Sequence, residues 1–470
     1  TKEEMDKFHL MEKVNMEVPH IPRRFSEGYG IKPSSIDDIE ADLLITVDNG
    51  IAAAEAIKIA KEKGMKVIIM DHHLPALDAE GEVIRPEADI LVDPEAFPET
   101  ADFDGYCGAG LTLKLIEKMF PKNVNLITKA SAFAAIGTVA DIVPLKEDNR
   151  RIVRKGLEAM NSNNMVMGLA DLIMESGLSG HVDSESIAFK LAPTFNASGR
   201  LEDEGGQNVL AALMNKDPMG ALVMAKQLIE INEKRKALID DAISKVEIRE
   251  EDPVNFTFYM DPDGTNVTGI VGLIAGKLAE STGKPSFAFT LDDSGVMKGS
   301  ARSDDEDQNN VYLMLKSAEK YLLGFGGHKG AAGFSFAPEN LENVFAALKA
   351  YPTKPHDPNL YYDLDLDPTE AYHTLSIMDQ MEPFGKGMDR PVFRIEAHFS
   401  GTEWYQTMGE EKQHLRFDLP GNLKAVAFHL AEQYEKDGFP MDVYLYGTLC
   451  WNYYKDRKYT QFRVDSYEVI

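Results

Sequence analysis

Cysteine is nearly absent from the 470-residue chain, with Cys107 and Cys450 the two it has. Two thiols build neither a disulfide framework nor a zinc cage on their own, so a reducing, cytoplasmic compartment is the expectation. No apolar run reaches bilayer-spanning length and no secretory signal pattern opens the chain, so a membrane is not an expected partner. Basic residues are scarce beside acidic ones, 49 Lys and Arg against 77 Asp and Glu, leaving a net charge of −28. A surface of that sign repels phosphate backbones at long range, so a nucleic-acid ligand would need a local basic or hydrogen-bonding groove on an acidic body. There is no internal repeat and no low-complexity tract, and the length exceeds what one core accommodates, which suggests about three domains. An initiator methionine is also missing: the chain opens Thr1-Lys2-Glu3-Glu4 and reads as a fragment.

Residues 42–50, Asp-Leu-Leu-Ile-Thr-Val-Asp-Asn-Gly, read as a fully buried strand running into a turn. Apolar residues at helical spacing follow over 51–63, with Gly64 as the stop signal, and Lys-Val-Ile-Ile-Met at 66–70 is a second buried strand ending at Asp71-His72-His73. Short connections make this a βαβ unit with parallel, adjacent strands, whose chemistry belongs beyond the carboxyl ends of the strands. Helical patterns dominate over 108–180, and a long polar helix over 220–249 has a thin apolar stripe, as an interdomain spacer would. From Val254 a second α/β unit begins: strand 256–260, helix 271–280, strand 286–290, then Gly299 and a helix near 311–320. Proline-containing residues 352–358 mark a boundary, and short alternating strands at 414–419, 424–428 and 443–447 suit a small barrel.

Asp48 and Asp71 each follow a strand of one βαβ unit. Adjacent strands lie about 4.8 Å apart, so carboxylates at their ends can reach a shared metal pair about 3.5–4 Å across. His72 and His73 add imidazole nitrogen, and that oxygen–nitrogen set suits Mn²⁺ better than Ca²⁺. Taken singly, Asp48-Asn49-Gly50 is equally a helix-capping turn and the histidine pair a solvated loop; at corresponding ends of neighbouring strands the metal reading prevails. Residues 137–145, Gly-Thr-Val-Ala-Asp-Ile-Val-Pro-Leu, place Asp141 in apolar surroundings, where a carboxylate is costly unless paired or on a metal.

The DNG, DHH-Leu-Pro and GTVADIVPL segments, in that order and spacing, resemble the second, third and fourth signature motifs of the DHH phosphoesterase superfamily. Residues 21–30, Ile-Pro-Arg-Arg-Phe-Ser-Glu-Gly-Tyr-Gly, are similar to the "PNRF-x-x-GYG" segment of its RecJ branch, and Asn-Ala-Ser-Gly-Arg-Leu at 196–201 to its "NAAGRL". Gly-Phe-Gly-Gly-His-Lys-Gly-Ala-Ala-Gly at 324–333 resembles the DHHA1 hallmark, Gly-Ser-Ala-Arg-Ser at 299–303 its "GSGRS" turn, and Pro-Phe-Gly-Lys-Gly at 383–387 the "PFGxGNPxPxF" junction into an oligonucleotide-binding (OB) barrel. The resemblance implies an α/β fold: a parallel-sheet DHH domain over 1–165, a connecting helical region over 166–250, a second α/β DHHA1 domain over 251–351, and a C-terminal OB-type β-barrel over 359–470.

It also implies a metal-dependent 5′-to-3′ exonuclease that hydrolyses single-stranded DNA in recombination and repair, using two Mn²⁺ or Mg²⁺ ions. Asp48, His72 and Asp141 would be direct metal ligands, with Asp71 and His73 as catalytic members of the same cluster. Arg200 and Arg302 would clamp phosphate, with Ser303, Gly327 and His328 in substrate contact. Taken alone, either arginine is a surface ion pair and the glycines are packing sites. Trp451 and Tyr453, on a barrel hairpin interleaved with Lys455, Arg457 and Lys458, suit stacking of single-stranded nucleic acid, with barrel core the competing role. The expected partners are single-stranded DNA and a helicase or single-strand-binding protein, with the enzyme acting as a monomer.

Three departures qualify the resemblance. The first superfamily motif, a strand ending in Asp-x-Asp, is missing upstream of Ile21, where residues 5–13 read as helix; at least one metal is therefore expected to bind poorly. The acidic run Asp304-Asp305-Glu306-Asp307 follows the Arg302 segment directly, and Met388 stands where the family usually has Asn. The missing motif suggests a non-catalytic scaffold as an alternative. A cyclic-dinucleotide or oligonucleotide phosphodiesterase is a second alternative, against which the barrel region argues.

Overall fold

The computed structural model describes residues 19–470 except positions 29, 38, 79–80, 250, 356–358, 401–403 and 455–456. The helix expected over 5–13, and Lys455, fall outside the described residues. Strands β1 (Leu43–Val47) and β2 (Lys66–Met70) are parallel neighbours joined by helix α1 (Ala54–Glu62), and β3 (Ile90–Val92) adds in parallel on the far side of β2. The expected βαβ unit is therefore present. Ala56, Ile57 and Ala60 of α1 pack on Met65, Val67 and Ile69, covering one face of this sheet.

The expectation of a fully buried β1 is wrong. Leu43, Ile45 and Val47 are 47%, 50% and 44% exposed, because β1 is an edge strand and its outer face has no covering layer among the described residues. An apolar run marks a strand, but it does not say whether both faces are covered.

Helices α2 (Gly108–Met119), α3 (Val124–Ala140), α4 (Glu147–Asn161) and α5 (Ala192–Leu201) follow, then the long α6 (Pro218–Ser244). The thin stripe of α6 resolves into two buried patches. Ala225 and Leu228 join the core formed by the helices, whereas Leu238, Ile239 and Ala242 join the core of the next α/β unit with Ile270, Ile274 and Leu278. One rigid helix thus ties two hydrophobic cores together.

The second unit contains β4 (Asn255–Phe258), α7 (Val271–Thr282), β5 (Ser286–Leu291), β6 (Met297–Arg302), β7 (Gly324–Gly327) and β8 (Ala331–Phe336), in the sheet order β4-β5-β6-β8-β7. Here a second correction applies: residues 299–302, expected as a turn, belong to β6. A glycine interrupts that strand because the Phe334 ring of β8 fills the place of a side chain, with a Cβ on Gly299 only 2.4 Å from its Cζ.

The C-terminal unit carries β9 (Leu364–Asp365), α8 (Ala371–Met381), β10 (Phe393–His398), β11 (Tyr405–Met408), β12 (His414–Asp418), β13 (Lys424–Ala427), β14 (Asp442–Tyr454) and β15 (Arg457–Val469), in one seven-stranded sheet of order β11-β12-β13-β15-β14-β10-β9. It is docked on the helical part. Leu145 N donates to Lys386 O at 2.8 Å, Arg150 Nη1 to Pro383 O at 2.9 Å, and Arg154 Nε to Glu382 O at 2.9 Å. No helix among the described residues is long and apolar enough to cross a membrane.

Candidate metal centre

Register builds this site. Val47 pairs with Met70, and Met70 with Val92, so the next residue on each of the three parallel strands is an aspartate: Asp48, Asp71 and Asp93. Asp48 N donates to Met70 O at 2.9 Å and Asp71 N to Val92 O at 3.0 Å, which holds the row in place one step past the strands. Asp48 adopts φ 60°, a left-handed turn that carries the chain away from the sheet edge.

Asp71 is the buried anchor, 1% exposed. Its Oδ2 accepts from Ile51 N at 3.0 Å, and its Oδ1 from His72 N at 2.8 Å, His73 N at 3.3 Å and His73 Nδ1 at 2.7 Å. Burial pushes this carboxyl up, but the Ile51 N–H, the His73 ring and the His72 N–H outweigh it and hold it below the ordinary carboxylate range. Asp71 thereby orients both histidines.

His72 Nε2 lies 2.9 Å from Asp48 Oδ1 and 3.5 Å from Asp141 Oδ2. The Asp48 hydrogen bond lifts the His72 pKa above its usual value, against the opposing effect of burial. Asp141 arrives from the C-terminal end of α3, so its carboxylate faces those of the strand ends. The apolar surroundings expected for it are only partial, since its side chain is 44% exposed and Ile142 beside it is 66% exposed. Burial raises the Asp141 carboxyl pKa, the nearby His72 opposes this, and the Asp48 charge adds to it.

Donor atoms of Asp48, His72 and His73 all lie within 4.8 Å of one another, the one such group of three among the described residues. Carboxylates from two elements converge on a single imidazole nitrogen, and a divalent cation would replace the proton that now holds them together. The set fits Mn²⁺ or Mg²⁺. The N-terminus of α2 closes the site from one side: a Cβ on Gly108 would stand 2.6 Å from Asp48 Cβ and Oδ1, so only glycine allows this approach. A helix N-terminus there also favours the carboxylate.

Two residues near the cluster are additions to the set expected from sequence. Asp93 is 3% exposed and sits where burial, with the Asp71 charge, raises its pKa. Its signal is there to be found, because Ile-Leu-Val-Asp at 90–93 repeats the pattern of an apolar run ending in Asp. Lys386, on the junction loop, is close enough to act electrostatically on Asp141. No local pattern pairs those two positions, which are brought together by domain docking.

The other expected site residues gather elsewhere. The 21–30 and 196–201 segments meet beside Asn49, where Ile21, Arg24, Gly30, Gly199 and Asp203 line one cavity. Asp203 accepts from Phe25 N at 2.8 Å and Ser26 Oγ at 2.6 Å, which fixes the first segment. Arg200 Nη1 donates to Gly269 O at 3.1 Å, joining α5 to the second α/β unit. Arg302, Ser303, Gly327 and His328 share one end of β6, β7 and β8. Arg302 Nη1 donates to Ser300 Oγ at 2.6 Å, Ser303 N to Gly330 O at 3.0 Å, and His328 N to Ala331 O at 2.8 Å. The acidic run folds onto this hairpin, where Lys329 pairs with Glu306 and Asp307. On the last unit Trp451 Nε1 donates to Asp379 Oδ1 at 2.7 Å, with Lys458 Nζ 3.6 Å from the Trp451 ring centroid. Tyr453 stacks on His181 with centroids 4.2 Å apart.

Three family models match the chain: the DHH family N-terminal domain over residues 6–138, the DHHA1 domain over 257–353 and the RecJ OB domain over 362–466. Among curated proteins, the single-stranded-DNA-specific exonuclease RecJ of Bacillus subtilis (strain 168) is 30% identical, over 97% of this chain and 58% of its own length. The protein of that name from Thermus thermophilus is 29% identical, over 86% of this chain and 57% of its own. The crystal structure of RecJ in complex with Mn²⁺, also from Thermus thermophilus, aligns with a TM-score of 0.73 at 26% identity, covering 91% of this chain and 62% of that one. The chain thus spans less than two thirds of the length of these relatives.

Proposed function

The chain belongs to the RecJ-type DHH–DHHA1 phosphoesterases, and on that premise we propose that it hydrolyses phosphodiester bonds of single-stranded DNA from the 5′ end, in recombination and repair. The observation that carries this reading is the carboxylate–imidazole cluster at the register-matched strand ends. Asp48, His72 and Asp141 would hold Mn²⁺ or Mg²⁺ directly. Two such ions, when bound, would supply an activated water and neutralise charge at the phosphate and the leaving oxygen. The Asp71 carboxylate accepts from the His72 backbone N–H and the His73 ring, and so fixes the segment that carries both histidines before substrate arrives. His73, whose ring is held by Asp71 and more than half exposed, would contact the substrate phosphate. Arg200, Arg302, Ser303, Gly327 and His328 provide phosphate contacts; Trp451 and Tyr453 stack bases of the incoming strand.

The domain limits that follow are 1–165, 166–250, 251–351 and 359–470. The enzyme acts as a monomer in the cytoplasm, on single strands exposed by a helicase or held by a single-strand-binding protein. The test is release of mononucleotides from single-stranded DNA with Mn²⁺, using substrates blocked at the 5′ or the 3′ end. With an Asp-x-Asp strand joined upstream, the enzyme should stop at a 5′ block only, and Asp71→Ala in it should release nothing. Activity unaffected by Asp71→Ala would overturn the assignment, and a stop at the 3′ block would reverse the polarity.

A further inference from the structure

The strand-end row holds three aspartates, and the proposed chemistry uses two. Asp93 follows β3 as Asp71 follows β2 and Asp48 follows β1, in continuous register. It is buried, at 3% exposed. Its Oδ1 accepts from Glu95 N at 2.9 Å and Ala96 N at 3.1 Å, which is all the local turn requires. Its Oδ2 is buried with no hydrogen-bond partner among the described residues. The neighbour on the adjacent strand is Asp71, equally buried, whose charge and that of His72 both act on Asp93.

Two buried carboxylates on neighbouring strands, one with an unpartnered oxygen, are costly to keep side by side. Arrangements of that kind persist where a site is completed by something else. Asp93 stands one strand beyond Asp71, on the side away from Asp48, and its Oδ1 is taken by the turn, so no direct ligand role is given to it.

Resting on the metal reading above, we propose that Asp93 is a positioning residue of the metal centre: its buried, uncompensated charge behind Asp71 and His72 strengthens divalent-cation binding at Asp48, His72 and Asp141 while destabilising the metal-free protein. The bound cation supplies the positive charge that this row lacks. A purely structural Asp93 would serve the turn through Oδ1 alone, and asparagine would serve it equally well.

The experiment titrates Mn²⁺ into wild type, Asp93→Asn and Asp48→Asn, reading free Mn²⁺ by electron paramagnetic resonance, alongside thermal unfolding without metal. Asp93→Asn should bind Mn²⁺ about tenfold more weakly, as outer-shell losses at metal sites do, while its metal-free Tm equals or exceeds that of wild type. Asp93→Ser, which retains a short acceptor for the turn, should show the same loss of affinity. Affinity within about twofold of wild type in both Asp93 variants, with Asp48→Asn weakened, would overturn the role of Asp93 and leave the metal centre standing. A lowered metal-free Tm in both Asp93 variants would mean that the Asp93 charge stabilises the metal-free protein, and would overturn the proposal as well. No Mn²⁺ binding by wild type would overturn the metal reading together with this inference.

Discussion

Replacing Asp71 by asparagine tests how the site is held. The carboxylate accepts one N–H at Oδ2, from Ile51, and three at Oδ1, from His72 N, His73 N and His73 Nδ1. An asparagine offers a single acceptor oxygen, so its amide nitrogen must face one of these two sets. The cheaper choice turns the nitrogen toward Ile51, losing a charge-assisted bond and leaving a buried N–H unpaired. The three remaining bonds then run to a neutral acceptor. Hydrogen bonds to charged groups contribute about 1.5–3 kcal/mol and neutral ones about 0.5–1.5, so exchanging four of the first kind for three of the second loses about 4.5–7.5 kcal/mol.

The pH dependence follows from the lowered Asp71 pKa. A carboxyl held below its unfolded value stabilises the fold above the unfolded pKa of about 3.9 and loses that contribution as pH falls through the folded value. The gap between wild type and Asp71→Asn should therefore close as pH falls below about 4. Trp404 and Trp451 both lie in the C-terminal unit and do not report on this site, so the assay is hydrogen exchange at the Ile51 amide, with far-UV circular dichroism for the whole chain. An Ile51 amide equally protected in both proteins would refute the reasoning.

Three further outcomes are expected. Because the Asp48 hydrogen bond lifts the His72 pKa and a ligand imidazole must be neutral, Mn²⁺ affinity should fall as pH drops through that raised value, approaching about tenfold per unit below it; Mn²⁺ titration between about pH 5.5 and 8 reads this, and Asp48→Asn should move the onset to lower pH. Arg150→Ala removes donors to the carbonyls of Met381, Glu382 and Pro383, so hydrogen exchange should show faster exchange at the Leu145 amide, which bonds the neighbouring Lys386, with local stability down by about 1.5–3 kcal/mol. Releasing Lys329 by Glu306→Gln with Asp307→Asn should tighten single-stranded DNA binding about three- to tenfold at low salt, and the slope against log salt should steepen by about 0.7 for the one phosphate gained.

What the sequence reveals here is whatever is local. An apolar run followed by Asp marks a strand end, and two such runs joined by one helix imply neighbouring parallel strands, so residue order alone places Asp48, Asp71 and His72 together. The pattern Leu-Leu-Ile-Thr-Val is the same for a central strand and an edge one, and this is why the exposed face of β1 is invisible to it. Gly299 looks like a turn because its compensating partner, Phe334, lies 35 positions away on β8. Asp93 carries the same apolar-run-then-Asp pattern in weaker form, because its strand is three residues long and runs into Asp-Pro, and register is what sets it beside Asp71. Arg200 and Arg302 read as phosphate clamps, whereas each also donates to protein oxygens that only the folded chain brings near.

Those same contacts bear on how an acidic protein would engage the polyanion proposed as its substrate. Part of its positive charge is engaged within the fold: Arg150 and Arg154 by carbonyls at the end of α8, Arg463 by Glu185, Arg390 by Glu382, Lys349 by Asp252, and Lys329 by the acidic loop. The proposed attraction of phosphate to the centre need not come from a standing basic surface. At the strand ends the excess is negative, which is the arrangement that gathers divalent cations; bound cations invert the local sign and make the same site attractive to phosphate. The net charge of −28 and a phosphodiester substrate are thus compatible, provided that cation binding comes first and the buried acidity of Asp71 and Asp93 favours it.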